Sequence, residues 1–319
     1  MNKSLDIFND KEKFIDDVLK ELNKDVVVIQ RELLSNILND YIDVFSLDED
    51  GAIKNTTANI LRATAIDRIV NEWNVAYQQN VLKDFTNRVF ELAGYNKDYF
   101  TSLKIAEKEK LLSSMVELEK HINATLGIKK VKKGEKYVTR LIKGGYLSTL
   151  EGNEPIKQEL KSYVLESVNS NVGFKEYRKG FENILQKDGG IVDRYYKTYV
   201  YDSFVQIDRI ESTFLAKRLG LKYFVYQGSL IKTSRPFCCK RAGKVFSIED
   251  VDSWKCDANL IGKPKGQDCD DSYRPLIELG RWNCRHSLRY MSDELAKEIG
   301  ITESKDIIKR QGSKDCLDK

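Results

Sequence analysis

Cysteine and histidine are the residues of this chain whose types and spacing could do chemistry, and most of them crowd into one stretch. Cys238 and Cys239 are adjacent, Cys256 and Cys269 follow, and Cys284 stands two residues before His286. A zinc site asks for four nitrogen or sulfur donors converging tetrahedrally, commonly from Cys-x-x-Cys or His-x-x-x-His spacings. Adjacent cysteines serve one ion poorly, because successive side chains of an extended chain point apart. On a strand, Cys284 and His286 would share a face. The candidate ligands are therefore Cys238, Cys239, Cys284 and His286, with Cys256 or Cys269 as a further donor. The competing reading is a set of buried thiols beside a structural histidine, with no cofactor at all.

A Cys–His catalytic pair is a third option, with Cys284 as nucleophile and His286 as base. Arg281, Arg285 and Arg289 would then lower the thiol pKa, but a cleft and an orienting group would also be needed. His121 sits in a helix rich in Lys and Glu and is expected at the surface. No glycine-rich phosphate loop follows a strand, and no paired carboxylates stand out, so an ATPase or a nuclease is not supported.

The background to this cluster is a 319-residue chain, 32% charged, with a net charge of only +4. The charged fraction suits long solvated helices, and the small net charge argues against bulk nucleic-acid affinity. No stretch approaches the length of a membrane span. The first ten residues carry no secretory signal pattern, so a cytosolic setting and reduced cysteines are expected, not a disulfide scaffold.

The elements that must position the cluster are mostly helical. Apolar residues at steps of three and four predict a helix over 11–44, with an interruption near Asp25 to Val28. A break over 47–57 offers Asn55, Thr56 and Thr57 as caps, and a long helix over 58–92 ends at Gly94. A third helix is expected over 97–124, with Leu111, Leu112, Met115, Leu118 and Ile122 inward, closed by Gly127.

The run Lys129, Lys130, Lys132, Lys133, Lys136, Arg140 and Lys143 is the most basic in the chain. It reads either as a solvated hinge or as a contact for nucleic acid or an acidic protein face. Helices over 155–168, 174–186 and 191–219 follow, the last with an aromatic stripe read as packing.

From Leu221 the period changes. Tyr223 to Tyr226, Val245 with Phe246, and Trp282 to Tyr290 read as short strands. Ser247 caps a short helix ending near Trp254, and Ser292 caps a last helix over 293–299. The fold class is α+β: a mostly α-helical N-terminal two-thirds, then a small β-rich C-terminal domain. The divisions fall at 1–145, 146–220, 221–300 and a charged tail, 301–319.

Arg235-x-x-Cys238, then Gly243-x-x-Phe246, a Trp, and finally Asn283-Cys284-Arg285-His286 stand in an order that resembles the phage head morphogenesis family. These are the Mu F-like minor head proteins of tailed bacteriophages. The resemblance spans about residues 169–295. His286 stands where the family often has its last cysteine, and the histidine that usually precedes the final motif is absent, with Gly280 and Arg281 in that neighbourhood.

The resemblance implies a non-enzymatic structural protein of the virion, present in several copies near the portal. Its expected partners are portal and capsid proteins, with packaged DNA against the Lys129–Lys143 stretch. The alternatives are a zinc-stabilised nucleic-acid-binding module, or a Cys–His enzyme or toxin.

Overall fold

The computed structural model describes residues 3–37, 45–62, 64–77, 83–104, 108–133, 136–142, 154–186 and 198–298. The architecture is α+β, with the helical part first and a small antiparallel sheet near the C-terminus. Helices α1 (Lys3–Ile37), α2 (Thr57–Arg62), α3 (Ala65–Tyr77), α4 (Lys83–Ser102) and α5 (Lys108–Leu126) precede a hairpin of β1 (Ile128–Lys133) and β2 (Lys136–Leu141). Then come α6 (Glu154–Asn169), α7 (Phe174–Gln186) and α8 (Thr198–Leu219). The terminal region holds β3 (Tyr223–Gln227), α9 (Pro236–Cys239), β4 (Val245–Ser247), a 3₁₀ helix (Asp250–Cys256), α10 (Pro275–Glu278), β5 (Ser287–Met291) and α11 (Asp293–Glu298). Among the described residues no helix is long and apolar enough to cross a membrane.

Several expectations need correction. Helix α1 runs through Asp25–Val28 without a break, because Val18, Leu22 and Leu33 keep one buried stripe along it. The helix expected over 58–92 is interrupted at Thr64, between α2 and α3, residues 78–82 lie outside the described residues, and Gly94 lies inside α4 instead of ending it. Leu92, Ala93, Asn96, Tyr99 and Phe100 are buried and carry the inward face past the glycine, which outweighs the roughly 1 kcal/mol a helical glycine costs. The chain turns at Lys104, which has φ of 54°. Leu112 and Phe90 face solvent, whereas Leu118, Ile122, Phe85 and Val89 face in. The basic stretch is a hairpin over its described part; Lys143, the first residues of the 191–219 helix, and the tail after Glu298 lie outside the described residues.

The chain divides into two compact units. One comprises 17–87 and 124–200. There the break after α1 is pinned by bridges Leu47↔Ile53 and Ala52↔Gly173. Buried Asn59 donates to the carbonyls of Ser46 and Lys54 and accepts from the Ser46 amide, and the Thr56 hydroxyl caps α2. Tyr163, Tyr177 and Phe181 join α6 to α7.

The other unit comprises 1–16, 88–123 and 201–319. Its sheet has the order β4-β3-β5, all antiparallel, with Phe224 opposite both Phe246 and Tyr290. Phe237, Phe246 and Trp254 meet edge to face below it, and Arg241 lies over Phe237 and Trp254 while paired with Asp257 at 2.6 Å. Ser292 caps α11 as expected, and the Ser247 hydroxyl accepts from the Glu249 amide ahead of the 3₁₀ turn.

Helix α8 carries a charged cluster into this unit's core. Lys11 donates to Asp208 at 2.8 Å and to Asn96 at 3.3 Å, and Asn96 donates to Glu211 at 2.9 Å. Glu12 lies beside them, and burial pushes its carboxyl up to about 7. Burial likewise holds Glu211 well above the usual carboxylate range. Three carboxylates around one ammonium make the cation indispensable, and Lys11→Met should destabilise the chain by about 3–5 kcal/mol in urea denaturation.

A carboxyl whose folded pKa is raised favours the protonated state on folding. Its contribution is full below about 4.5 and is lost as pH rises through about 7. Relative to wild type, Glu12→Gln should therefore gain up to about 3 kcal/mol of stability between those pH values, with no further change above. A pH-independent difference would contradict this placement.

Candidate metal centre

Two thiols and one imidazole converge in the core of the terminal unit. Cys238 stands on α9, started by Pro236, whose ring presets the first helical turn. Cys284 and His286 lie in the segment between α10 and β5, not on a strand as expected; β5 begins at Ser287. Their convergence comes instead from a turn in which Leu279, Arg281 and Asn283 all have positive φ. The Cys284 amide closes that turn on the Arg281 carbonyl at 2.9 Å.

The sulfurs of Cys238 and Cys284 are 3.9 Å apart, and Cys284 Sγ is 3.7 Å from His286 Nδ1. Tyr226 on β3 places its hydroxyl 3.4 Å from Cys238 Sγ and 3.7 Å from Cys284 Sγ. All three ligand residues are buried.

Two glycines make room. A Cβ on Gly280 would stand 2.5 Å from Cys238 Sγ and 3.2 Å from Cys284 Sγ. A Cβ on Gly228, where φ is +152°, would stand 2.5 Å from His286 Cδ2. The Gly280 amide also donates to Cys284 Sγ at 3.3 Å.

Arg209 of α8 holds the segment in place. Its guanidinium donates to the carbonyls of Cys284 (2.6 Å), His286 (2.8 Å) and Ile277 (3.0 Å). Arg235 donates to the carbonyls of Gly280 and Trp282, and Asp202 accepts the Asn283 amide at 2.8 Å.

The Cys238 thiol donates toward Cys284, which holds the Cys284 thiol well below its ordinary range, helped by His286 and Arg209. The same hydrogen bond, with burial, pushes Cys238 far up. The two thiols are therefore inequivalent, Cys284 being the more acidic.

The other expected contributors are elsewhere. Cys256 and Cys269 form a disulfide with each other, against the expectation of reduced thiols, and so supply no ligand. Their Cα atoms approach to 4.0 Å as the loop between them folds back. Cys239 is also disulfide-bonded and takes no part in the cluster. Arg281 pairs with Asp270, Arg285 lies over Tyr201, and Arg289 bonds Gln227, so the cation beside Cys284 is Arg209, on a different element. His121 is exposed as expected, stacked on Phe214.

Arg209 and Tyr226 were not singled out as site residues. A signal existed for Arg209: it falls with Asp208 and Glu211 inside the otherwise apolar face of α8. Nothing in the sequence distinguishes Tyr226 from the strand formers around it.

The donor set fits a soft divalent ion. Ligands about 2.0–2.3 Å from a tetrahedral ion lie roughly 3.6–3.8 Å from one another, close to the Cys238–Cys284 and Cys284–His286 separations. Cys238, Cys284 and His286 would be the ligands. Among the described residues the buried His286 Nε2 has no hydrogen-bond partner, while Nδ1 faces Cys284 Sγ. Such an ion would supply folding energy and hold both sulfurs as thiolates.

No protein-family model, curated protein or solved structure matches this chain.

Cobalt(II) added to the reduced chain should give thiolate-to-metal charge-transfer absorption at one equivalent, lost in Cys238→Ser and in Cys284→Ser. Absence of that band in folded wild type would leave the centre as a thiol pair. Gly280→Ala should cost about 1–3 kcal/mol by overpacking, with metal uptake reduced at the same time.

Proposed function

We propose that the chain is a structural minor head protein of a tailed bacteriophage, incorporated near the portal during head assembly, and that it is not an enzyme. The observation that carries this reading is the convergence of sequence elements that lie far apart in the chain. Arg235, in the first element, bonds the backbone beside the third. Cys238 of the first meets Cys284 of the third. Gly243 of the second turns the chain back, its amide bonded to the Tyr226 carbonyl, so that Phe246 reaches the aromatic core. Elements that support one buried centre behave as parts of one design, which is what a shared family architecture calls for.

The arrangement argues against the Cys–His enzyme. A nucleophile must meet its substrate, and Cys284 and His286 are 4% and 5% exposed. The base would also need a group on Nε2 to orient it, and among the described residues that atom has no partner. The thiol chemistry serves the fold, which leaves binding to the surfaces.

On this reading the partners are portal and capsid proteins, with packaged DNA as a further contact. The protein is present in several copies per virion, and a bound zinc ion, where present, is structural. The amphipathic helices supply the faces for neighbouring chains.

A tagged chain expressed during infection should copurify with portal and capsid proteins and remain in mature particles. Particles assembled without portal protein that still contain it at full copy number would overturn the portal assignment.

A further inference from the structure

The β1–β2 hairpin is a two-stranded sheet, with no third strand hydrogen-bonded to it among the described residues. Its register is Lys129↔Arg140, Lys130↔Thr139, Val131↔Val138, Lys132↔Tyr137 and Lys133↔Lys136. Successive residues of a strand alternate between faces. One face therefore carries Lys129, Lys133, Lys136 and Arg140 around the Val131–Val138 pair. The other carries Lys130 and Lys132 beside Tyr137. Six cations stand on twelve strand residues with no acidic residue among them.

Two cross-strand pairs set cation directly opposite cation, Lys129↔Arg140 and Lys133↔Lys136. Like charges directly opposite weaken a ladder, and a two-stranded ribbon has little stability to spare. Yet the ladder runs its whole length, and the Ile142 amide extends it onto the Gly127 carbonyl at 2.7 Å. A polyanion would remove that repulsion.

From this geometry we infer that the hairpin is a nucleic-acid-binding ribbon that enters the groove of a duplex and contacts phosphates from both faces. A flat acidic protein surface can neutralise only one face at a time. A duplex groove has a phosphate wall on either side, and its major groove, about 12 Å wide, admits a two-stranded ribbon. Contacts of this kind depend on charge and carry no base sequence. The inference rests on the proposed virion role only for the source of the duplex, packaged DNA; the binding itself is tested apart from portal association.

The test is fluorescence anisotropy of the full chain with a labelled duplex of mixed sequence, across a salt series. Wild type should bind, with affinity falling steeply in salt, each neutralised phosphate adding about 0.9 to the logarithmic slope. Replacing Lys129, Lys133, Lys136 and Arg140 together by Gln should weaken binding more than about tenfold near 0.1 M salt and reduce the slope by about 3. Lys130→Gln with Lys132→Gln should lower affinity as well, because the second face is engaged.

Thermal denaturation and portal copurification report whether each variant is folded. Folded wild type that fails to bind at low salt, or a folded fourfold variant with unchanged affinity and slope, would overturn the inference. So would displacement of the duplex by polyglutamate at a lower charge concentration, which would make the ribbon a protein-docking element. An effect confined to one face would overturn the groove geometry.

Discussion

The terminal unit depends on one buried guanidinium. Arg209 leaves water to bond three backbone carbonyls in the segment that carries Cys284 and His286. A charge with no carboxylate ion-paired to it among the described residues is costly at that depth unless neighbouring dipoles compensate. The carbonyls supply those dipoles, and Arg209 in turn helps hold the nearby Cys284 thiol below its ordinary range. The same contacts fix the course of a turn in which three residues other than glycine take positive φ, a conformation that needs outside support. Cation and turn therefore require one another, and the Cys238–Cys284–His286 arrangement follows.

A second buried charge system lies on the same helix. Asp208 and Glu211 face Lys11, while Arg209, between them in sequence, faces the thiol segment. Helix α8 is thus charged on two buried sides, with Asp208 and Glu211 set among Phe204 and Leu215 and Arg209 on another face. Burying so many charges does little for net stability, but it permits few alternative packings, because most shifts would strand a charge.

Where a single periodicity governed the local structure, the sequence was readable. The α+β class, the helices over 174–186 and at 198–219, the cap residues Thr56 and Ser292, and strands β3 and β4 all follow from local pattern. The site was half readable. Cys238, Cys284 and His286 were singled out by type, and Cys239 was set among them only because adjacency does not say which neighbour points inward.

The cation beside Cys284 could not be assigned from nearby residues. Arg281, Arg285 and Arg289 are close in sequence but engage Asp270, Tyr201 and Gln227. The residue that matters lies 75 positions away. Gly94 misled for a related reason: a helix-ending signal yields when the residues beyond it continue a buried face. The lysine run gave no strand pattern, since cations occupy both faces and remove the usual alternation.

The unit that holds the thiol centre is assembled from three separate passages of the chain, beginning with its first sixteen residues. Lys11 meets Asp208 across 197 positions. On a ribosome, the opening helix must therefore wait through most of translation before its partner emerges, while the unit formed by the intervening residues has what it needs much earlier. Until then Lys11 and Glu12, both buried in the folded unit, remain in water. The order of synthesis and the order of folding are thus opposed in this protein, and its last-made third completes what its first residues began.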